Sequence, residues 1–178
     1  MSRVLVISTS LRGGSFSEKL ATSFAEGARE AGHDVEFVSL KGKKIQFCKG
    51  CVMCQNTKRC IIDDSATAIV EKIRTSDIVV WATPVYYYSM SGQMKVLIDR
   101  CNPIYVSDYS IKDVYLLVTC ADESETAIEG TLKGVQGWVD CLPGTRIAGT
   151  LCATGLPVDK RIEDTGFLEK AYRMGKSI

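Results

Sequence analysis

The fold is decided by the stretch RVLVISTSLRGGSFSEKLATSFAEGAREAG, which covers residues 3–32. It begins with Arg3–Ser8, a short apolar run that is typical of a strand buried on both faces of a sheet. It ends with residues 17–32, in which apolar side chains recur at helical spacing and share one face: Leu20, Phe24, Ala28 and Ala31. A buried strand followed by an amphipathic helix is the repeating unit of parallel α/β sheets.

The same alternation of strand and helix continues through the rest of the chain. Further strands are predicted at residues 34–40, 77–82, 113–119 and 146–153. Further helices are predicted from 63 or 64 to 75 and at 92–101, 123–142 and 159–176. Five strands separated by helices predict an α/β fold with a doubly wound parallel sheet and helices on both faces. Because no linker or repeat interrupts the pattern, we expect residues 1–178 to form a single domain, with a cysteine-rich insertion at about 41–62.

Composition limits the partners of this protein. The net charge is +1, so no global field attracts nucleic acid or an anionic membrane, and we expect neither as a partner. The apolar run at residues 4–7 follows Met1 almost at once and is too short for a signal peptide or a membrane span. We therefore expect a cytoplasmic location, in which thiols stay reduced and a disulfide framework is disfavoured.

The loop after the first strand has the composition of a phosphate site. It combines hydroxyls, two glycines and one arginine with a helix N-terminus, whose unpaired N–H groups favour an anion. The hydroxyls of Ser10, Ser15 and Ser17 can donate to phosphate oxygens. Arg12 adds a forked cation. The alternative is a polar turn with a capping box between Ser15 and Glu18. The glycine spacing matches neither a dinucleotide-binding motif nor a P-loop.

The loop after the third strand is aromatic. Residues 83–92 include three consecutive tyrosines and no charged side chain. A flat ring can rest on the side chains and backbone amides of such a segment. The alternative is a hydrophobic loop buried at a subunit contact, and the two interpretations are compatible.

Half of the eight cysteines lie close together, in the order Cys48-x2-Cys51-x2-Cys54-x5-Cys60. Thiolates are soft ligands for zinc or iron–sulfur clusters, and three cysteines spaced in this way can wrap a cluster without help from distant segments. Zinc sites usually use two separated pairs, and free thiols are the third alternative. The surrounding loop carries cations and no carboxylate: Lys41, Lys43, Lys44, Lys49, Lys58 and Arg59. These charges could offset an anionic cluster, attract the phosphates of NADPH or an acidic partner, or simply face solvent.

Three segments resemble one known family. Residues 10–21 resemble the FMN-phosphate loop of the NADPH-dependent FMN reductases, a branch of the flavodoxin-like fold. Residues 83–100 resemble the isoalloxazine loop of that family and its following helix, and residues 48–64 are similar to the compact cysteine motif of the iron–sulfur flavoproteins within this branch. The resemblance covers essentially the whole chain and implies a flavodoxin-like sheet with strand order 2-1-3-4-5.

The resemblance also implies a ligand for each segment. The FMN phosphate would be held in the first loop by Ser10, Arg12, Ser15, Ser17 and the amide of Phe16. The ring would rest on the second segment, which consists of Thr83, Pro84, Val85, Tyr86, Tyr87, Tyr88 and Ser89. Its edge would touch the backbone at the end of the fourth strand, at Thr119, Cys120 and Ala121. A [4Fe–4S] cluster would be held by Cys48, Cys51, Cys54 and Cys60.

The predicted function is that of an FMN-dependent NAD(P)H oxidoreductase. Electrons from a reduced nicotinamide or a one-electron donor would pass through FMN to a quinone, a flavin or a redox partner, without a catalytic side chain. The alternatives are a flavodoxin-type electron carrier, which the neutral net charge and basic loop disfavour, and a zinc-stabilised interaction module, which leaves the serine loop and tyrosines unexplained. We expect a homodimer or homotetramer, since one face of the FMN would otherwise be open to water. We also expect Asp99 and Arg100 to form an exposed or interface ion pair.

Overall fold

The computed structural model describes residues 1–157 and 159–178, in which strands and helices alternate. The strands are β1 (Arg3–Ser8), β2 (Asp34–Ser39), β3 (Ile78–Tyr86), β4 (Ser89–Met90), β5 (Asp113–Thr119) and β6 (Arg146–Ala153). The helices are α1 (Phe16–Glu30), α2 (Cys54–Thr57), α3 (Ser65–Thr75), α4 (Gly92–Arg100), α5 (Asn102–Tyr105), α6 (Glu129–Asp140) and α7 (Phe167–Lys176). Short 3₁₀ turns lie at Glu125–Ile128 and Ile162–Asp164. In the described part of the chain, no helix has both the length and the apolar composition needed to cross a membrane.

The strands form one sheet in the order β2-β1-β3-β5-β6, in which all neighbouring strands are parallel. The short strand β4 lies off this path and pairs antiparallel with the end of β3. The predicted doubly wound parallel sheet is therefore confirmed, with one correction. The sheet has a sixth strand, so the predicted order 2-1-3-4-5 becomes 2-1-3-5-6 when β4 is counted.

Helices cover both faces of the sheet and create two apolar cores. One core contains Val4 and Val6 of β1 together with residues of α1 and α7. The other contains Leu5 and Ile7 of β1 together with residues of α3, α4 and α6. Because successive side chains of a strand point to opposite faces, the single strand β1 belongs to both cores. This double burial is the reason that residues 4–7 are apolar without a break.

Element boundaries agree with the sequence prediction for β1, β5 and β6 and differ elsewhere. The strand predicted at 77–82 continues to Tyr86, because its last residues pair with β4 in a hairpin. The helix predicted at 123–142 is divided into a 3₁₀ turn and α6. The helix predicted at 159–176 begins only at Phe167, after Gly166 with φ 74°, a left-handed conformation that a continuous helix cannot contain.

The closing helix α7 packs on α1 through two glycines. A Cβ atom added to Gly27 would lie 2.1 Å from the carbonyl oxygen of Tyr172, and one added to Gly175 would lie 2.0 Å from that of Phe24. Larger residues would therefore push the two helices apart. This close backbone contact anchors α1, whose N-terminus lies at the edge of the sheet where the loops converge.

Candidate functional site

Three loops converge at one edge of the sheet. The strands β1, β3 and β5 are neighbours and parallel, so their carboxyl ends lie side by side. In doubly wound sheets this edge is where ligands bind. An open cleft is found there, at the place where a ligand is expected in this kind of sheet.

The cleft collects residues from all three predicted segments. It is lined by Ser10, Arg12, Ser15, Phe16, Ser17, Pro84, Val85, Tyr86, Thr119, Cys120, Ala121 and Leu156. Of these, Leu156 was missed by the sequence prediction, because no local motif marks it. Its amide donates to the carbonyl oxygen of Cys120 (2.9 Å), and this long-range bond places it in the wall of the cleft.

The loop after β1 contains the helix cap that was considered as an alternative to a phosphate site. Ser15 is the N-cap of α1, and its Oγ accepts from the amide of Glu18 (3.3 Å). The carboxylate of Glu18 accepts from the amide of Gly14 (2.6 Å). The capping interaction is therefore confirmed. It does not exclude an anion, since the Arg12 guanidinium lies 5.7 Å from the centre of the Phe16 ring at the mouth of the same cleft.

The tyrosine segment, which was predicted as a loop, is a hairpin in the structure. Thr83 is buried, and its Oγ1 accepts from the amide of Ser91 (3.1 Å). Tyr87 and Tyr88 form the tip of the β3–β4 hairpin with φ values of 48° and 61°, which are uncommon for residues other than glycine. Thr83, Tyr87, Tyr88 and Ser89 are therefore not among the residues that line the cleft, whereas Pro84–Tyr86 are.

The hairpin is nevertheless fixed beside the cleft. The hydroxyl of Tyr88 donates to Oδ2 of Asp122 in the loop after β5 (3.2 Å). A Cβ atom added to Gly130, at the start of α6, would lie 2.3 Å from the carbonyl oxygen of Tyr88. The Tyr87 side chain is fully exposed at the tip. The hairpin thus presents an aromatic side chain to solvent from a rigid support.

The backbone of Cys120 is already paired within the fold. Its amide donates to the carbonyl oxygen of Ala153, and its carbonyl oxygen accepts from Leu156, each at 2.9 Å. The sequence prediction expected this backbone to touch a ligand. In the structure, the Cys120 amide is already bonded to the end of β6 and is not free to bind a ligand. Thr119, Cys120 and Ala121 nevertheless line the cleft.

The four clustered cysteines line a second pocket, of about 590 Å³, between the cysteine loop and the α4–α5 corner. Cys48 Sγ accepts from the amide of Gly50 (3.5 Å) and from Nδ2 of Asn102 (3.6 Å). Val52 has φ 52°, a genuine outlier for a β-branched residue. Strained backbone of this kind persists only where the surrounding structure imposes it, and it accumulates at ligand sites.

The thiols of this pocket lie close enough to influence one another. Burial raises the pKa of the Cys54 thiol, and the other three cysteines of the loop raise it further. In residues 1–157 and 159–178, no three His, Cys, Asp or Glu side chains converge closely enough to ligate one metal ion. The four cysteines therefore line the same pocket without forming a compact set of ligands for a single ion.

A buried ion pair anchors the cysteine loop. Nη1 of Arg100 donates to Asp64 Oδ2 (2.7 Å) and to the carbonyl oxygen of Gln46 (2.9 Å). Nη2 donates to the carbonyl oxygen of Ile62 (2.9 Å). The side chains of Arg100 and Asp64 are only 1% and 6% exposed. The cation thus holds the chain just before Cys48 and just after Cys60.

The expected exposed pair between Asp99 and Arg100 is therefore wrong. Asp99 instead pairs with Lys95 on the outside of α4 (2.6 Å). Burial alone would raise the pKa of Asp64, but hydrogen bonds from Arg100, Gln46 and Ala66 outweigh it and lower that pKa. Asp64 is also the N-cap of α3. The role of Arg100 was missed because its partners are distant in sequence.

Comparison with known proteins now identifies the family. The model of the NADPH-dependent FMN reductase family matches residues 2–135, most of the chain. The chain belongs to this family. The predicted family is confirmed, and the protein is an FMN-dependent oxidoreductase that uses NAD(P)H.

Relatives and solved structures agree with this assignment. An iron–sulfur flavoprotein of Methanocaldococcus jannaschii is 28% identical over 185 residues, covering 99% of this chain and 95% of the relative. An iron–sulfur flavoprotein of Methanosarcina thermophila is 28% identical over 138 residues, covering 77% and 72% of the two chains. The structure resembles that of an NAD(P)H:quinone oxidoreductase from Methanothermobacter marburgensis, with a TM-score of 0.76, 18% identity and 98% of both chains covered. The last similarity supports the flavodoxin-like fold.

We predict that Asp64→Asn lowers the free energy of unfolding by about 3–5 kcal/mol, because it leaves the buried charge of Arg100 without a counter-ion. The new amide can still cap α3, so the loss reports the ion pair. Urea unfolding at neutral pH measures the effect. The control is Asp63→Asn, whose side chain is 92% exposed and for which a change within about 0.5 kcal/mol is expected. Equal losses in the two variants would contradict the role of the ion pair.

The loss of stability in Asp64→Asn should depend on pH. Because the pKa of Asp64 is lowered in the folded protein, the stabilisation is present above the ordinary Asp value of about 3.9 and is lost as the pH falls through the lower folded value. The difference between the unmodified protein and Asp64→Asn should therefore shrink below about pH 4.

Proposed function

We propose that this protein is an NAD(P)H oxidoreductase of the iron–sulfur flavoprotein type, which passes electrons from a reduced nicotinamide or a one-electron donor through FMN to a quinone, a flavin or a redox partner. The observation that carries this proposal is the convergence of the loops after β1, β3 and β5 on one cleft. A cationic, hydroxyl-rich end and an uncharged end suit the two ends of a flavin nucleotide.

The phosphate end of the cleft is formed by the loop after β1. The N-terminus of α1 supplies unpaired N–H groups and a partial positive charge. Arg12 adds a full positive charge at the mouth of the cleft. The hydroxyls of Ser15 and Ser17 lie 3.3 Å apart and can both turn toward an anion. Ser10 and the amide of Phe16 complete the proposed phosphate site.

The ring end of the cleft is formed by Pro84–Tyr86 and residues 119–121. None of these residues is charged, so they can cover a flat ring without the cost of burying an ion. Bound FMN would supply the hydride and electron chemistry itself. The protein's contribution is to bind the phosphate, orient the ring and keep water from one of its faces. We assign no catalytic side chain.

We further propose that Cys48, Cys51, Cys54 and Cys60 hold a [4Fe–4S] cluster. In such a cluster each cysteine binds a different iron, and the proposal is supported by the four cysteines lining one pocket. A single zinc ion would instead draw all four sulfurs to about 2.3 Å from one point. The amide of Gly50 and Nδ2 of Asn102 already donate to Cys48 Sγ, which suits a ligated thiolate. A bound cluster would supply one-electron transfer.

The assembly and setting of the protein are part of the proposal. We propose a single domain over residues 1–178, with the cysteine loop at about 41–62 as an insertion between β2 and α3. We propose a homodimer or homotetramer, supported by the exposed aromatic tip at Tyr87 and by the exposed Tyr105 of α5. A cytoplasmic setting would keep the four thiols reduced and available for metal.

For the FMN site, we predict that Arg12→Ala weakens FMN binding by about ten- to a hundred-fold, since a hydrogen bond to a charged group contributes about 1.5–3 kcal/mol. Quenching of flavin fluorescence on adding the apoprotein measures the dissociation constant. The control is Arg29→Ala, which removes an exposed arginine from the last turn of α1, at the end of that helix away from the proposed phosphate site. This variant should leave the affinity for FMN unchanged. Equal weakening by both variants would place the phosphate elsewhere.

The function itself is tested by anaerobic titration with NADPH and NADH. We predict that one of them bleaches the flavin absorbance rapidly and without an added reductase, because the protein is an oxidoreductase and not a carrier. A second titration with a quinone should restore the oxidised spectrum. A flavin that is reduced only when a separate reductase is supplied would favour the flavodoxin-type carrier.

For the cluster, we predict roughly four irons and four sulfides per chain after anaerobic purification, as a [4Fe–4S] composition requires. Cys60→Ala should lose most of this iron, because it removes one of the four ligands. Cys141→Ala removes an exposed cysteine outside the pocket and should retain it. Protein without iron and with all four thiols free would refute the cluster, and roughly one zinc per chain would replace it with the alternative metal.

A further inference from the structure

Arg100 occupies a position that structural anchoring alone does not explain. It is one of the largest fully buried side chains, yet it lines the cysteine pocket together with Cys60. Its two terminal nitrogens are engaged by Asp64 and by two carbonyl oxygens. Among the described residues, its third nitrogen, Nε, is buried and has no hydrogen-bond partner.

An unpaired buried donor is costly, by about 1–3 kcal/mol and more for a charged group. An acceptor that becomes available when a ligand binds nearby would remove this cost. Arg100 lines the cysteine pocket and also an adjoining pocket beside α3, and Cys60 is the cysteine that lines both. Cys60 is the nearest candidate along the chain, since it lies two residues before Ile62, whose carbonyl oxygen is already bonded to Nη2.

The positions of the neighbouring side chains also point to Cys60 as the partner of Nε. The side chain of Cys60, like that of Asp64, lies within interaction distance of the Arg100 guanidinium. The α4–α5 corner also contains Asn102, which donates to Cys48 Sγ. Two side chains at this corner, Arg100 and Asn102, thus lie beside cysteine sulfurs at opposite ends of the loop.

We propose that Arg100 donates a hydrogen bond from Nε to Sγ of Cys60 when Cys60 is a cluster ligand, and that this raises the reduction potential of the cluster. The inference rests on the proposed [4Fe–4S] cluster. Reduction adds one electron and one negative charge without forming or breaking a bond, and the guanidinium keeps its protons throughout. A fixed cation and a hydrogen bond to sulfur stabilise the more negative state, which makes the potential less negative.

Arg100 is therefore a positioning residue that also changes the reduction potential of the cluster. Asp64 and the two carbonyl oxygens hold the guanidinium plane, so that Nε cannot turn away from the pocket wall without breaking buried bonds. Lysine could supply the charge at this place, but it has no planar fork with a third donor. Arg100→Lys thus keeps the positive charge and removes the Nε donor, so the effects of charge and hydrogen bond can be measured separately.

The test uses anaerobically purified holoprotein and three variants: Arg100→Gln, Arg100→Lys and Arg59→Gln. Arg59 is the matched control, because it adjoins Cys60 in sequence while its side chain is 72% exposed. Iron and sulfide are measured first, and thermal unfolding confirms that each variant folds. The midpoint potential of the cluster is then measured by redox titration followed by electron paramagnetic resonance.

We expect a negative shift of the potential in Arg100→Gln and in Arg100→Lys, larger in each than in Arg59→Gln. If Arg100→Gln does not fold, Arg100→Lys decides the outcome by the same comparison. A potential in Arg100→Lys equal to that of the unmodified protein would overturn the hydrogen bond, since charge alone would then suffice. Shifts no larger than that of Arg59→Gln would overturn the inference and leave the cluster in place. Unmodified protein that lacks iron and sulfide would overturn the cluster and the inference together.

Discussion

The parallel pairing of β1, β3 and β5 is the constraint on which the rest of the molecule depends. Parallel strands all end at the same edge, so the segments that follow them meet there whatever their sequence. The pairing itself is held by burial. Leu5, Val6 and Ile7 of β1 are fully buried, and each contributes about 1.5–3 kcal/mol relative to an exposed side chain. The cleft is thus a product of the core.

The cysteine loop depends on a different and more local interaction. It contains few residues with buried side chains, so hydrophobic packing cannot hold it in place. Arg100 instead ties its two ends to the end of α4 through charge-assisted hydrogen bonds. A buried ion pair is weak evidence for stability when it is compared with an apolar pair, but it is directional. Directional hydrogen bonds fix the two ends of the loop in one arrangement, in which the four cysteines line the same pocket.

The limits of sequence-based prediction can be seen in particular residues. Ser15 was expected at the N-terminus of a helix and is there, because capping depends on residues only three positions apart. The tyrosine segment was expected to be a loop, but β4 pairs with β3 and makes it a hairpin with Tyr87 at its tip. Arg100 was expected at the surface and is buried. For Arg100 the deciding partners lie 36 to 54 positions away in sequence, so no local pattern of apolar and polar residues encodes them.

The sequence by itself determined the alternation of strands and helices and the presence of helices on both faces of the sheet, because these follow from periodicity. It also determined the loop with the composition of a phosphate site and the family, because these follow from motifs of neighbouring residues. Only the tertiary structure decided which members of each motif share the cleft, that Leu156 joins them, and that Arg100 closes the cysteine loop. The physical reason is the range of the interactions. Periodicity and capping act within a few residues, whereas the contact of Arg100 with Gln46 spans 54 positions and exists only once the sheet has formed.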